Sequence, residues 1–273
     1  MPARITHYAN MRLSVNLEAR PRNRPRLSRR ENRMYRTLIT VSAIVLMTSF
    51  GAQAAPITID SFDTASHNAD APIGPIPSSS EVAGGGILGG YRDIEVDAQT
   101  ASPSFFETSA EANGGGTLQF ENGVGVHGKA TFTWDGNDNP LAVDTTGLGG
   151  VDLTDGGTNN AFGLDIILID QPGLEIMFTV WSTSGVSTFT QISGPAGPST
   201  LHFDFSAFTG TADFTDVGAI QLMLTSSQND GIDAEIDLLE ATNTSPVPVP
   251  AALPLMAGAI GGLFGLNRLR RKA

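Results

Sequence analysis

The sequence predicts an all-β domain, a jelly-roll β-sandwich, between two terminal segments of a different character. Between residues 55 and 244, short segments alternate apolar and polar side chains and are separated by Gly, Asn, Asp and Pro. An alternation with a period of two is typical of strands that bury one face. None of these segments keeps an apolar stripe of helical period over three turns, so strands are expected throughout.

About ten segments of this middle region fit the strand pattern. In Thr200–Phe205, Leu201 and Phe203 face one way and His202 faces the other. Ten strands with one apolar face each are predicted to pack as two sheets. The low-complexity stretches 69–90 and 135–157 are predicted to be long surface loops. The candidate strands are Ile57–Phe62, Tyr91–Val96, Gly116–Phe120, Val124–Trp134, Phe162–Ile169, Leu174–Trp181, Val186–Thr190, Thr200–Phe205, Val217–Thr225 and Ile232–Leu239, the last with Ile232, Ala234, Ile236 and Leu238 on its apolar face.

Charge is segregated along the 273 residues, whose formal net charge is −12. Residues 1–33 carry nine Arg against two acids, whereas residues 55–246 carry 26 acids against Arg92 and Lys129 alone. Such a middle region has too few cations to neutralise phosphates, which argues against binding to nucleic acid. The absence of Cys excludes disulfides, thiolate metal sites and a Cys nucleophile.

The N-terminal region predicts export. Arg36 precedes an apolar run over residues 38–51, and the small residues Ala52 and Ala54 follow it. This order is typical of a secretory signal peptide, which we assign to residues 34–54 with cleavage after Ala54. Residues 1–33 are then a non-structural extension, and the simplest account is that translation begins at Met34.

The C-terminal segment, residues 245–273, combines three features in a fixed order. A Pro-rich stretch is followed by 16 uncharged residues from 251 to 266, which span about 24 Å as a helix. The basic tail after them favours a cytoplasmic C-terminus and a membrane-spanning helix that stops translocation. The Pro-rich stretch is Val247, Pro248, Val249, Pro250 and Ala251, and the basic tail contains Arg268, Arg270, Arg271 and Lys272.

This order resembles the VPLPA-CTERM variant of the PEP-CTERM sorting signals of Gram-negative bacteria, with Val249 where the name-giving motif has Leu. The resemblance covers about residues 247–273. It implies recognition by an exosortase, a membrane-embedded enzyme that cuts near the Pro-rich motif. The protein would be held transiently in the inner membrane and then delivered to the cell surface or extracellular matrix. An ordinary C-terminal anchor with a Pro-rich linker is the alternative.

The middle region also has a looser resemblance. The stretches 133–136, 148–154 and 213–222 are similar to galactose-binding-like jelly rolls of exported bacterial proteins. This likeness supports the jelly roll. Carbohydrate binding, adhesion and purely structural roles all occur on that fold, so the likeness does not choose among them.

Two sets of oxygen-bearing side chains are candidate calcium ligands, and calcium is the one cofactor that the sequence suggests. Asp135, Asn137 and Asn139 alternate in an acceptor-rich loop, although turn chemistry alone explains such a run. Asp60 and Asp63, near the first strand, would meet acids of the last strand, including Asp237, because the first and last strands of a jelly roll often lie close together. Solvated strand faces are the alternative for this second set.

No catalytic motif stands out, so we predict a protein that is not an enzyme. His67, His127 and His202 are isolated, and neither a zinc-binding H-E-x-x-H nor a G-x-S-x-G nucleophile motif is present. The expected partner is a glycan or exopolysaccharide at the loop rim, on which Trp134, Trp181 or Tyr91 could stack. Core packing is the alternative for these aromatic residues, more strongly for Trp181 than for Trp134. A secreted carbohydrate-active enzyme and a purely structural envelope protein remain the alternative functions.

Overall fold

The computed structural model describes residues 55–72, 77–100, 107–112 and 115–244, all within one compact unit that spans residues 52–248. The predicted signal peptide, sorting motif and membrane helix lie outside the described residues. No helix within those ranges has the length and the hydropathy needed to cross a bilayer.

The described residues form fourteen strands and two short 3₁₀ turns, Leu88–Gly90 and Phe205–Ala207. Every strand pairing is antiparallel. The strands are β1 (Ile57–Asp60), β2 (His67–Pro72), β3 (Ser78–Ala83), β4 (Tyr91–Thr100), β5 (Glu107–Ala112), β6 (Leu118–Asn122), β7 (His127–Trp134), β8 (Ala161–Ile169), β9 (Leu174–Ser182), β10 (Gly185–Ser193), β11 (Ser199–Asp204), β12 (Thr209–Gly210), β13 (Val217–Thr225) and β14 (Ala234–Thr242).

The strand order is that of a jelly roll. The first sheet has the order β11-β8-β14-β6-β5-β2, with β1 paired to β14, and the second has the order β12-β10-β9-β13-β7-β4-β3. Within them, β6-β14-β8-β11 and β7-β13-β9-β10 are the two four-stranded halves of a double Greek key. The predicted all-β sandwich is therefore confirmed, with strands β1 to β5 and the short β12 added to the eight-stranded core.

One core lies between the sheets and contains the alternate side chains of both. Phe162 of β8 stacks on Phe178 of β9 with ring centroids 4.8 Å apart, which joins the two sheets directly. Phe203, Phe205 and Phe214 extend this aromatic cluster. Burial of large side chains from facing sheets is the main stabilising contribution in a domain without disulfides.

Several details of the strand prediction are wrong. Two strands, β5 and β12, are absent from the ten candidates. The stretch 69–90, predicted to be a loop, contains the last residues of β2 and all of β3, which are the outermost strands of their sheets. They were missed because their small and polar residues lack the apolar alternation that marks a half-buried strand. In β14, a bulge between Ile236 and Leu238 changes the alternation, so that Leu239 is fully buried and Leu238 is not.

Candidate functional site

Acidic side chains converge where β3, β4 and the loop after β7 meet. Asp93 of β4 lies opposite Glu81 of β3, and its other neighbour in the sheet is Thr133 of β7. Asp135 and Asp138 follow β7 directly. Carboxylate oxygens of Glu81, Asp93 and Asp138 lie within 4.8 Å of one another. We call Glu81, Asp93, Asp135 and Asp138 the carboxylate cluster.

The loop after β7 is held in place by backbone hydrogen bonds to these acids. Asp138 N donates to Glu81 Oε2 at 2.9 Å, and Asp144 N donates to Asp135 Oδ2 at 2.8 Å. Gly136 has a φ of +93°, a left-handed conformation that favours glycine and turns the chain out of β7. A side-chain carbon at Gly147 would overlap the Asp135 carbonyl oxygen. The two glycines and the backbone hydrogen bonds to Glu81 and Asp135 therefore hold the loop in a defined conformation beside β3.

The inner half of the carboxylate cluster is buried without donors. Asp93 is 2% exposed and Asp135 is 1% exposed. Neither oxygen of Asp93 has a hydrogen-bond donor in the described part of the chain, and neither does Asp135 Oδ1. The outer members, Glu81 and Asp138, are partly exposed and open the cluster to solvent.

Burial and repulsion between neighbouring acids raise the pKa values of three members of the cluster. Burial, followed by the charges of the neighbouring acids, raises the pKa of Asp93 from 3.8 to about 8. Burial likewise raises the pKa of Asp135 to about 6, against a lowering contribution from the Asp144 N–H. Burial and the charge of Glu81 raise the pKa of Asp138. Four carboxylates in this position therefore favour a proton or another positive charge among them.

Asp60, a predicted calcium ligand, has partners inside the sandwich. Its Oδ2 accepts hydrogen bonds from Arg92 Nη1 at 2.8 Å and from Trp134 Nε1 at 3.0 Å, and its Oδ1 accepts one from Phe62 N. Arg92 and Asp60 are 0% and 1% exposed, so they form a buried ion pair between the sheets. Asp60 therefore accepts three hydrogen bonds, and Arg92 already compensates its charge.

Of the other predicted calcium ligands, Asp63 and Asp237 lie near each other, as the adjacency of the first and last strands led us to expect, whereas the two Asn residues lie elsewhere. Asp63 and Asp237 are exposed and flank Gly116: a side-chain carbon there would lie 2.9 Å from Asp63 Oδ1 and 3.9 Å from Asp237 Oδ1. Asn137 and Asn139 are exposed, and Asn139 Oδ1 accepts a hydrogen bond from Leu141 N in a local turn. The acid that accompanies Asp135 is Asp138, because the turn at Gly136 interrupts the alternation on which the prediction relied.

The sequence favoured core packing for Trp181 more strongly than for Trp134, and the structure shows the reverse. Trp134 is fully buried, and its indole N–H is bound to Asp60, so it cannot stack on a ligand. Trp181 follows the buried Val180 and lies on the outer face of the second sheet, where it is partly exposed beside Val186. Tyr91, at the start of β4, is also partly exposed.

The outer face of the second sheet carries a polar row flanked by apolar side chains. Cross-strand pairing aligns Thr133 with Gln221 and Gln221 with Thr179, and Gln221 Nε2 donates to Thr133 Oγ1 at 3.1 Å. The next row contains Met223 paired with Met177. The carboxylate cluster stands at one end of the polar row and Trp181 lies near the other. Thr133 and Thr179 are buried, so the accessible groups of this face are the amide of Gln221 and the partly exposed side chains of Met177, Met223 and Trp181.

Two shallow pockets lie in the described ranges. One of about 360 Å³ is lined by residues that include Asn159, Asp204 and Phe205, and another of about 450 Å³ lies beside Gly86. Asp204 is the single acid among the lining residues of the two pockets. A cleft with paired carboxylates, which the enzyme alternative requires, is therefore not formed by either of them.

Comparisons with known proteins return only distant structural neighbours. No protein-family model matches the sequence, and no curated protein matches it. The family 11 carbohydrate-binding module of the cellulosomal cellulase Lic26A-Cel5E of Clostridium thermocellum is 10% identical, with 71% of this chain and 99% of that chain covered and a TM-score of 0.34. The enzymatically active domain of tailspike protein 4 of bacteriophage CBA120 is 8% identical, with 64% and 19% covered and a TM-score of 0.28. At these scores the neighbours carry no argument, and the jelly-roll assignment rests on the strand order itself.

Proposed function

We propose that this chain is an exported protein of the Gram-negative cell surface or extracellular matrix, processed by an exosortase, whose β-sandwich binds a glycan without cleaving it. The sorting half of the proposal is supported by the sequence of the two ends. The binding half is supported by one observation, the outer face of the second sheet. The two halves are tested separately.

The sorting half predicts that the Pro-rich motif and the basic tail act differently. Pro248 and Pro250 lack an N–H and favour extended backbone, which suits presentation to a protease. Replacing both with Ala should leave membrane insertion intact but prevent processing, so that full-length protein accumulates in the inner membrane. Replacing the four basic residues of the tail with Ser should instead release unsorted protein into the periplasm. Normal processing and location of both variants would reduce the tail to a simple anchor.

The binding half rests on the chemistry of sugars. A pyranose ring presents an apolar face that stacks on aromatic side chains, and a rim of hydroxyls that exchange hydrogen bonds with amides and hydroxyls. Trp181 supplies the first kind of contact, and the amide of Gln221, which is partly exposed, supplies the second. These groups lie on a regular sheet rather than on mobile loops, so they are held in fixed positions before a ligand arrives.

Glycan-array binding and affinity electrophoresis in gels with soluble polysaccharides test this half. Trp181→Ala and Gln221→Ala should each weaken retention at least tenfold. Leu168→Ala and Gln119→Ala are matched controls, because they remove side chains of the same character from the first sheet, and they should leave retention unchanged. Equal retention of all four variants would refute the assigned face, and release of reducing ends from a bound polysaccharide would favour the enzyme alternative.

A further inference from the structure

The carboxylate cluster presents a charge problem that its protein neighbours do not solve. Asp93 and Asp135 Oδ1 are buried, and the side-chain neighbour of Asp93 is the Asp135 carboxyl group, which is itself an acid and donates no hydrogen bond when it is ionised. Buried carboxylates ordinarily accept hydrogen bonds or pair with a cation, because an uncompensated charge in the protein interior is strongly unfavourable. A positive charge at this position would relieve both acids at once.

The described part of the chain has no lysine or arginine left for this position. Residues 55–246 contain only Arg92 and Lys129 as permanent cations. Arg92 points to the opposite side of β4, where both terminal nitrogens are bound, to Asp60 and to the Ala65 carbonyl. Lys129 pairs with Glu95. Within the described residues no side-chain cation neutralises the carboxylate cluster, which leaves it open to a cation from solution.

The spacing of the acids suits one metal ion. Carboxylate oxygens that bind calcium lie about 2.3–2.6 Å from it, so oxygens on opposite sides of the ion are up to about 5 Å apart. The oxygens of Glu81, Asp93 and Asp138 all lie within 4.8 Å of one another, and Asp135 adjoins Asp93. We propose that Glu81, Asp93, Asp135 and Asp138 bind a calcium ion that ties the loop after β7 to β3 and β4. This inference does not depend on glycan binding.

Calcium fits these ligands better than other common ions. The donors are all oxygens, which excludes a preference for the softer metals that His and Cys bind. They come from two strands and an irregular loop, and calcium accepts such flexible sets of six to eight oxygens, with water completing the shell. Magnesium demands near-ideal octahedral geometry and gives up its waters reluctantly.

The site is tested by titrating CaCl₂ into the full chain, held in a mild detergent at pH 7.5 after removal of metals with chelator. Calorimetry should give one calcium per chain, and the melting temperature should rise with calcium concentration, because the ion binds the folded state preferentially. Glu81→Gln and Asp93→Asn should each weaken calcium binding at least tenfold. Magnesium should bind at least tenfold more weakly than calcium.

The double variant Asp63→Asn/Asp237→Asn is the matched control, since it removes two acids from the separate exposed pair at Gly116, and it should bind calcium like the parent. Asp138→Asn, at a partly exposed position, replaces Asp93→Asn if the latter fails to fold. The proposal is overturned by an unchanged melt and no heat up to 10 mM calcium. It is also overturned by tighter binding of magnesium, or by binding that survives Glu81→Gln but disappears in the double variant.

Discussion

Asp60 and Asp93 are buried to the same degree, yet their surroundings are opposite. Asp60 lies inside the sandwich, accepts three hydrogen bonds and is paired with Arg92. Asp93 lies on the outer face of β4, one residue after Arg92, and faces three other acids. Because successive side chains of a strand point to opposite faces, Arg92 contacts Asp60 inside the sandwich and cannot reach Asp93 on the outer face. Burial alone therefore does not reveal what a carboxylate contributes; its partners do.

The largest effect should follow from breaking the Asp60–Arg92 pair. Removing one partner leaves a buried charge uncompensated, which costs about 3–5 kcal/mol of unfolding free energy. Asp60→Asn and Arg92→Met should each lose that amount in urea denaturation followed by Trp fluorescence, and Trp134 would also lose its acceptor in part. A loss below about 1 kcal/mol for both variants would show that the pair contributes little.

In the presence of chelator, Asp93→Asn should have the opposite effect and raise the free energy of unfolding. The substitution removes an unpaired charge while keeping the shape of the side chain, so the free energy of unfolding should rise by about 1–3 kcal/mol at pH 8. In saturating calcium, the same substitution should be destabilising, because the parent alone gains the binding energy of the ion. Parallel melts of parent and variant with and without calcium measure the change of sign. Destabilisation of equal size in both conditions would contradict the comparison.

The fold could be predicted from the sequence, but only one member of the carboxylate cluster could. Strict alternation in segments such as 200–205 was enough to predict a sandwich, since only a sheet buries every second residue. The acceptor-rich loop identified Asp135. Asp93 and Glu81 could not be found in the same way, because their approach to Asp135 depends on which strands pair. One signal was available in the predicted strand Tyr91–Val96. Arg92 shares a face with Ile94 and Val96, which indicates a buried cation that needs an acid as its partner. Asp93 then lies on the opposite face, away from that cation.

His67 should make the stability of the protein depend on pH through the same Arg92. Burial and then the Arg92 charge lower the pKa of His67 from 6.5 to about 4. The unfolded chain therefore binds more protons between pH 6.5 and 4, and the free energy of unfolding falls as the pH drops through that window. The shift corresponds to at most about 3 kcal/mol. Urea titrations at pH 7.5 and 4.5 should show a smaller loss for His67→Gln than for the parent, and parallel losses would exclude this origin.

The smallest effect is expected at the second ion pair, Lys129 with Glu95. Its N–O distance is 3.7 Å, and the two side chains are 24% and 25% exposed, so water already solvates both charges. Such pairs contribute about 0.2–1 kcal/mol, and salt screens them. Lys129→Met should therefore cost less than about 1 kcal/mol, and the cost should shrink further in 0.5 M NaCl, whereas the loss in Arg92→Met should persist because no salt reaches that pair. Residues 55–246 contain only these two Lys or Arg residues. If Lys129→Met and Arg92→Met lost the same free energy of unfolding, with the same dependence on salt, then total charge rather than burial and partners would determine what each cation contributes.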